Sequence, residues 1–572
     1  MKNFYKIIVV VFLILNINID AQSSQPSFQW AKRAGDYAFD YGYGTATDSI
    51  GNVYVAGKYE MNAYFGDSTV TCAGNHDIFV AKYDSIGNFK WVRTAGGLGG
   101  DYARAISCDG VGNIYLTGEM EMDCDFGSGI ILHSNGNNDI FIAKYNTNGD
   151  LQWAKKVGGG PDTDRGYGIK QINGSIYVTG DFRQFAVFNG NINITSKGVL
   201  DMFIAKYTTE GVFQWVKTGG GTGDDGGYAI SSDPAENIYV TGYFYDTANF
   251  SGTSIISEGG TDAFIAKYDS TGSLLWLKKA GGSDEDYGRG IIVGKLNSVF
   301  LTGEFRNISY FDTISLNSSG NADIFIANYN SSGDAIWARK AGGSLDDIGR
   351  AITVDTASNI YITGNFGGNA DFGETNIIGA DSTEIFFASY DVNGNFRWVL
   401  KADGIPETNF QAYPWTPEAG LSICTDRWSN VYASGDYRAN SSFGSTTLHA
   451  WANADIFVTK IGINNTSIIT DSQGLTDIAF VDMNLNKLNV YPNPTTGLFT
   501  IAISMAIINH KEKVKVRITN ILGQEIFNKE CIIKQNYIKE TIELDKSLPS
   551  GIYTLQVIIG DKIENTTVVM SR

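Results

Sequence analysis

One phrase recurs through most of this 572-residue chain. Its cleanest copy, DAFIAKYDSTGSLLWLKKAGGSDEDYGRGIIVGKLNSVFLTG, runs from Asp262 to Gly303. Seven copies follow one another every 61 or 62 residues, stretched once by a ten-residue insertion. A phrase at fixed period is one structural unit that cannot bury its own faces and must stack on its neighbours. One large array therefore takes most of the chain, which argues against a string of unrelated domains.

Within each copy the apolar runs are five to eight residues long and end at Gly, Asn, Asp or Ser, the signature of strands. Four recur: an innermost run (GRGIIV, from Gly288), a second (SVFLTG, from Ser298), a third (DAFIAKY, from Asp262 of the preceding unit) and a fourth (LLWLKKAG, from Leu274). Turn phrases such as DSIGN at 84–88 and DSTGS at 269–273 close the hairpin between third and fourth, with Asp capping the turn and Gly supplying positive φ. Abundant Gly (67 residues) beside only nine Pro suits many short strands joined by tight turns. Four antiparallel strands per repeat, arranged radially, make a blade of a β-propeller.

The landmarks give the number of blades. Second strands end at Gly57, Gly118, Gly180, Gly242, Gly303, Gly364 and Gly435, and fourth strands carry Trp30, Trp91, Trp153, Trp215, Trp276, Trp337 and Trp398. Trp30 precedes the first innermost strand, while nothing like a fourth strand follows Asp455. The expectation is an all-β chain: a seven-bladed β-propeller closed by its N-terminal strand, plus a small C-terminal β-sandwich. Closure removes the exposed sheet edge that an open array would leave. A Phe eight residues after each of those glycines (Phe65, Phe126, Phe188, Phe250, Phe311, Phe372, Phe443) is expected in the core between blades. The wording GNIYVTG with DIFIAKYDxxGxxxW and AGG resembles the SBBP-type β-propeller repeat of bacterial surface and secreted proteins over about residues 27–461. Departures are Glu384 for Asp, SVFLTG for GNIYVTG and Ile461 for Tyr. The resemblance implies an architecture and assigns no activity.

Charge is uneven, −22 over residues 22–485 and +3 over 486–572. A body this acidic repels phosphate backbones, which argues against a nucleic-acid partner. A carboxylate opens each third strand, Asp77 through Asp455, and reads as a cap on nearby N–H groups. More acids lie in the loops from fourth strand to next innermost strand: Asp101, Asp162 with Asp164, Asp224 with Asp225, Asp284 with Glu285 and Asp286, and Asp346 with Asp347. Propeller topology gathers these loops on one face. Asp224, Asp225, Asp284, Asp286, Asp346 and Asp347 are the candidate metal ligands, and calcium, which takes about six to eight oxygens, is the candidate cofactor. Solvated acidic turns are the competing reading. The four His (His76, His133, His449, His510) never pair at metal-ligand spacing, and the five Cys form no disulfide framework. The spacing admits a Cys108–Cys124 bridge, with buried thiols the preferred reading.

The repeat breaks in one place. From Trp to the second-strand Gly is 27 residues in six units but 37 from Trp398 to Gly435. The added residues lie within DGIPETNFQAYPWTPEAG and carry Phe410, Tyr413 and Trp415, and the same blade holds His449 and Trp451 in a loop expected on the same face. Exposed aromatics at the mouth of a rigid scaffold stack sugar rings or anchor a protein partner. The alternative is that they cover the seam beside the closing blade. An enzyme acting on polysaccharide, hydrolase or lyase, is the competing class. It would want a defined carboxylate pair or a Ser, His and Asp set in a cleft, and the sequence nominates no catalytic residue. The expectation is a non-enzymatic scaffold that binds a glycan or a surface protein.

The ends differ from the array. Lys2 and Lys6 precede an apolar run, Ile7 to Leu15, and Ala21 offers a cleavage site, so residues 1–21 read as a secretory signal peptide. The run is too short to span a bilayer, and no transmembrane segment is expected in the mature chain. Residues 22–462 are assigned to the propeller, 463–487 to a polar linker, and 488–572 to the sandwich of about seven short strands. This last region carries YPNPTTG at 491–497, ITNILGQEIF at 518–527, LPSGIYTLQV at 548–557 and a terminal VVMSR. It resembles the type A C-terminal sorting domain of the type IX secretion system of Bacteroidota. The resemblance implies passage across the outer membrane by that machinery, removal of the domain, and a secreted or cell-surface product.

Overall fold

Short apolar runs separated by Asp- and Gly-bearing turns fold as antiparallel hairpins throughout. The computed structural model describes residues 26–405, 418–438, 440–450, 453–463, 489–491, 498–504, 514–520, 524–531, 537–545, 547–549, 551–559 and 562–570. Among them there is no α-helix, and a single 3-10 turn occurs at Lys295–Asn297. One compact unit is Pro26–Gly462, and the C-terminal residues belong to another.

In a representative repeat the innermost strand Tyr287–Val293 pairs with Val299–Phe311, that strand with Ile314–Tyr329, and that in turn with the outer strand Ala335–Gly343. The first repeat has the same order, from Tyr41–Thr47 through Val53–Tyr59 and Asp77–Tyr83 to Phe89–Ala95. The turn before each outer strand is capped as its sequence requires. Asp269 Oδ1 accepts the N–H groups of Thr271 and Ser273, both at 2.9 Å, and Gly272 takes a φ of +82°.

The second and third strands run further than the sequence suggests. Beyond the glycine they continue outward as a hairpin, Ile308 opposite Asn317 and Phe311 opposite Ile314. The end of that hairpin pairs with the outer strand of the preceding repeat, Ala280 opposite Phe311 and Gly282 opposite Ser309. The same bridging pairs recur as Gly219 with Phe250, Gly342 with Asp371, and Asp403 with Ser442. The Phe expected in the core sits at this bridge. All seven are buried, and each meets a third-strand Phe of its own repeat, as Phe311 meets Phe325 with centroids 5.0 Å apart and Phe250 meets Phe264 at 4.8 Å.

The two ends of this unit meet. Pro26–Gly35 lies in one sheet beside Asp455–Ile463, after Ala419–Thr425 and Val431–Tyr437, so an N-terminal strand stands where the outer strand belongs. Thr459 Oγ1 donates to the Trp30 carbonyl at 2.8 Å, and Ala34 pairs with Phe65 as Ala280 pairs with Phe311. Among the described residues no sheet closes on itself by hydrogen bonds. Instead the innermost strands touch in a cycle: Tyr41–Thr47, Tyr102–Cys108, Arg165–Ile172, Gly226–Ser232, Tyr287–Val293, Ile348–Val354, Ala419–Thr425, and back to Tyr41–Thr47.

In the C-terminal unit, Asn489–Tyr491, Leu498–Ser504 and Tyr537–Glu543 form one sheet, and Glu525–Cys531, Val514–Thr519, Gly551–Ile559 and Lys562–Met570 form another. Val514, Val516, Ile518, Leu555 and Val557 alternate inward to a buried cluster that Ile542 of the first sheet joins. This is the packing of a two-sheet sandwich.

The glycine that ends each second strand is required by contact. A Cβ on Gly303 would lie 1.8 Å from the Tyr287 carbonyl oxygen, and Gly57 and Gly118 face the same obstacle from Tyr41 and Tyr102. Gly110 has open space around its Cβ position. Urea denaturation of the full chain should show Gly303→Ala less stable by about 1–3 kcal/mol, while Gly110→Ala stays within about 0.5 kcal/mol of the parent.

Candidate functional site

The acidic loops separate into two kinds of side chain. Asp225, Asp286 and Asp347 turn inward and are buried, whereas Asp224 is exposed and Asp284 and Asp346 are half-buried. Each inward acid links two backbones. Asp225 Oδ2 accepts the Gly221 N–H at 2.7 Å and Oδ1 that of Tyr245 at 3.2 Å. Asp286 does the same for Gly282 and Arg306, and Asp347 for Gly343 and Gly367. The outward acids take other partners, Asp284 from Asn307 Nδ2 at 2.7 Å and Asp346 from Arg306 at 3.4 Å. Among the described residues no three His, Cys, Asp or Glu side chains come together as an ion site. Cys72, Cys108, Cys124 and Cys424 are free thiols.

Asp77, Asp139, Asp201, Asp262 and Asp323, which open third strands, each cap a backbone N–H, as Asp323 Oδ2 does for Ser319 at 2.9 Å and Asp139 Oδ2 for Asn135 at 3.0 Å. At Gly158 and Gly342 the other oxygen faces the inward acid across the glycine. A Cβ on Gly158 would fall 2.6 Å from Asp139 Oδ1 and 2.7 Å from Asp164 Oδ2, and neither oxygen has a hydrogen-bond partner. Burial pushes Asp225, Asp286 and Asp347 up to about 7 against the pull of their N–H donors, and the facing Asp201, Asp262 and Asp323 raise them further. Two buried carboxyls this close favour holding one proton between them.

Of the inserted aromatics, Phe410, Tyr413 and Trp415 lie outside the described residues, as does Trp451. His449 ends the short strand Thr446–His449, exposed, with Nδ1 2.6 Å from Asn440 Oδ1 and its carbonyl accepting from Arg33 at 2.8 Å.

A different set of side chains lies on the cycle of innermost strands. Every innermost strand slips register against its partner by one residue, between Gly42 and Gly44, Ala103 and Ala105, Gly166 and Gly168, Gly227 and Ala229, Gly288 and Gly290, Gly349 and Ala351, and Gly420 and Ser422. Such a bulge re-aims the unpaired residue. Those residues are Tyr43, Arg104, Tyr167, Tyr228, Arg289, Arg350 and Leu421, each half-buried on the cycle of innermost strands.

They touch across repeats. Arg104 lies over the rings of Tyr43 and Tyr102 at 5.0 and 4.7 Å and reaches Tyr167 at 5.9 Å. Arg289 lies 4.8 Å over both Tyr228 and Tyr287, and Tyr167 meets Tyr228 edge-on at 5.2 Å. The residue after the second-strand glycine supplies partners. Glu119 holds Arg104 at 2.5 Å, Asp181 holds Arg165 at 3.0 Å, and Glu304 takes both Nε and NH2 of Arg289. The outcome is a ring of aromatic faces, guanidinium groups and carboxylates, a surface suited to a polar ligand with apolar faces. Sequence reasoning missed this set because it read GRGIIV as an innermost strand and gave its side chains no separate role. The available signal was a changing Tyr or Arg framed by two small residues, as in YGYG, YARA, RGYG, GGYA, YGRG and IGRA.

Comparison with known proteins adds two assignments. The family model of the secretion system C-terminal sorting domain matches residues 489–571, the two-sheet unit. The tail is a type IX sorting domain. Such a sorting domain implies engagement with the type IX machinery and export, to the cell surface or beyond it. Residues 336–369 match the β-propeller repeat model, which here spans an outer strand and the next two strands inward. A WD repeat-containing protein of Acanthamoeba polyphaga mimivirus is 24% identical over 484 aligned residues, covering 67% of this chain and 35% of its own. The regulatory protein FlaEY of Caulobacter vibrioides is 24% identical over 379, covering 59% and 37%. The chain thus spans about a third of the length of these curated relatives. A solved structure of PorZ, a bacterial surface component of the type-IX secretion system of Porphyromonas gingivalis, aligns over 94% of this chain and 75% of its own. The identity is 13% and the TM-score 0.22, too slight a likeness to bear on fold or function.

The paired acids make stability depend on pH. Their folded pKa values of about 7 lie above the ordinary carboxyl range, so the folded chain binds more protons than the unfolded one between about pH 4 and 7. Stability is therefore greatest at the acid end of that window and is lost as pH rises through 7. Calorimetry should find Tm falling from pH 5 to pH 8, and replacing both Asp201 and Asp225 by Asn should flatten that slope.

Proposed function

We propose that this protein is an exported seven-bladed β-propeller, closed by its N-terminal strand, that serves at the cell surface or outside the cell as a non-enzymatic scaffold binding a glycan on its axis. In this reading residues 1–21 are a signal peptide, 463–487 a linker, and 488–572 the sorting region removed after transport. The blade count rests on the repeated landmarks and on the cycle of innermost strands that Ala419–Thr425 and Tyr41–Thr47 complete.

One observation carries the binding role. Tyr43, Arg104, Tyr167, Tyr228, Arg289 and Arg350 come from separate repeats, yet each occupies the bulge of an innermost strand, and those strands touch in one cycle. Tyrosine faces pack against the C–H faces of sugar rings, and fixed carboxylates and guanidinium groups hydrogen-bond their hydroxyls. Binding is favoured over catalysis because Glu119, Asp181 and Glu304 each engage a guanidinium instead of standing as a facing pair of acids.

On an array of glycans and surface proteins the full chain should retain specific glycans. Combining Tyr228→Ala with Arg289→Gln should lower that retention about tenfold or more, whereas Trp415→Ala with Trp451→Ala should not. Product released from a retained glycan would replace the scaffold reading with that of a polysaccharide hydrolase or lyase. Deleting residues 489–571 should leave the protein behind the outer membrane, and wild-type amounts outside the cell would contradict the export route.

A further inference from the structure

The arginines in the bulges are not equivalent. Arg104 and Arg289 are each met by a carboxylate 15 residues later, Glu119 and Glu304. Arg350 fills the same bulge, but the residue 15 positions on is Asn365, whose Oδ1 accepts the Arg350 Nε–H at 2.9 Å. Among the described residues no carboxylate forms an ion pair with Arg350, and its remaining guanidinium N–H groups have no acceptor. Glu304 and Asp436 act on it only through space, together with the repelling charge of Arg289 and the ring of Tyr43.

A cation on a half-buried surface without a counter-charge loses hydration that nothing in the protein returns. Burial and the Arg289 charge accordingly push the Arg350 pKa down, whereas Arg104 and Arg289, with their carboxylates, are pushed up. An exogenous anion would complete the site. A guanidinium with its two terminal groups open matches a carboxylate in bidentate fashion. The surroundings narrow the choice. Arg104, Arg165 and Arg289 are already matched by Glu119, Asp181 and Glu304, which leaves Arg350 as a single site for one carboxylate and not for a polyanion, while Asn365 suits hydroxyls and the tyrosines suit a C–H face.

We propose that Arg350 receives the carboxylate of an acidic sugar, a uronic or ulosonic acid unit, with the sugar body against the tyrosines of the axis. This rests on the glycan-binding reading and names the class of glycan.

The test is titration calorimetry of the full chain with D-galacturonate, with D-galactose, and with N-acetyl-dialanine as a peptide carboxylate. Galacturonate should bind about tenfold or more tightly than either of the others. Arg350→Gln should erase that preference. So should Asn365→Asp, which gives Arg350 the internal carboxylate its counterparts have, and its Tm should hold or rise, which separates loss of binding from loss of fold. Equal affinity for galacturonate and galactose, a preference that survives Asn365→Asp, or tighter binding of the dialanine peptide would each overturn the proposal. If none of the three binds while arrayed glycans are still lost in the Tyr228 and Arg289 variant, the acidic-sugar assignment fails and the axis site stands. If arrayed glycans are not retained either, both fall.

Discussion

Several repeats are anchored by two donors sent to a single carbonyl of the next. Lys267 Nζ and Trp276 Nε1 both donate to the Ser331 carbonyl, and Lys206 and Trp215 both donate to that of Ser270. The accepting carbonyl sits in the Asp- and Gly-bearing turn, whose glycine lets the indole lie against the chain: a Cβ on Gly272 would meet Lys217 at 2.7 Å and Trp215 at 3.2 Å. The lysine stem passes over a second-strand tyrosine on its way, Lys267 at 5.1 Å from the Tyr239 ring. A blade isolated from its neighbour would leave a half-buried ammonium and an indole N–H without partners, which is costly away from water. The fold is therefore a property of contiguous repeats.

The same interaction explains how the ends are joined. Lys460 and Trp30 lie far apart in the chain, yet both donate to the Ser85 carbonyl. They reproduce what a third and a fourth strand of one repeat do elsewhere. The chain ends do not need a special closure device; they use the seam that Lys206 with Trp215 and Lys267 with Trp276 make between other repeats. The bridging hairpins add a second seam at greater radius, where Phe65 stands opposite Ala34 as Phe311 stands opposite Ala280.

Packing so regular has a chemical consequence. The turn from each outer strand to the next innermost strand must be threaded between sheets, and inward acids such as Asp286 satisfy the N–H groups exposed there. That sets two carboxyls near each other in an interior where neither is readily ionised, Asp262 and Asp286 both being pushed up to about 7. Acids that look in sequence like a solvated, ion-binding rim are in good part interior fastenings. The bulges act in the opposite sense: they leave the ladder intact on either side and free one position per repeat to vary. Recurring seams and a variable residue at the bulge together divide the repeat into a structural part and a recognition part.

The sequence by itself determined the strand order, the turns, the period, the sorting tail and the N-terminal strand's need for a partner. All of these follow from local chemistry: strand-length apolar runs, turn residues, and a landmark such as Trp that recurs at fixed spacing. The burial of the seven Phe was equally legible, because a large aromatic in a fixed slot has few other fates. Only tertiary structure separated Asp225 from Asp224 and Asp347 from Asp346, since adjacent residues of the same type differ only in which one points between sheets. It alone brought Tyr43, Arg104, Tyr167 and Arg289 together, because a one-residue register slip leaves no mark in composition, and the distances that unite them run across the axis and not along the chain.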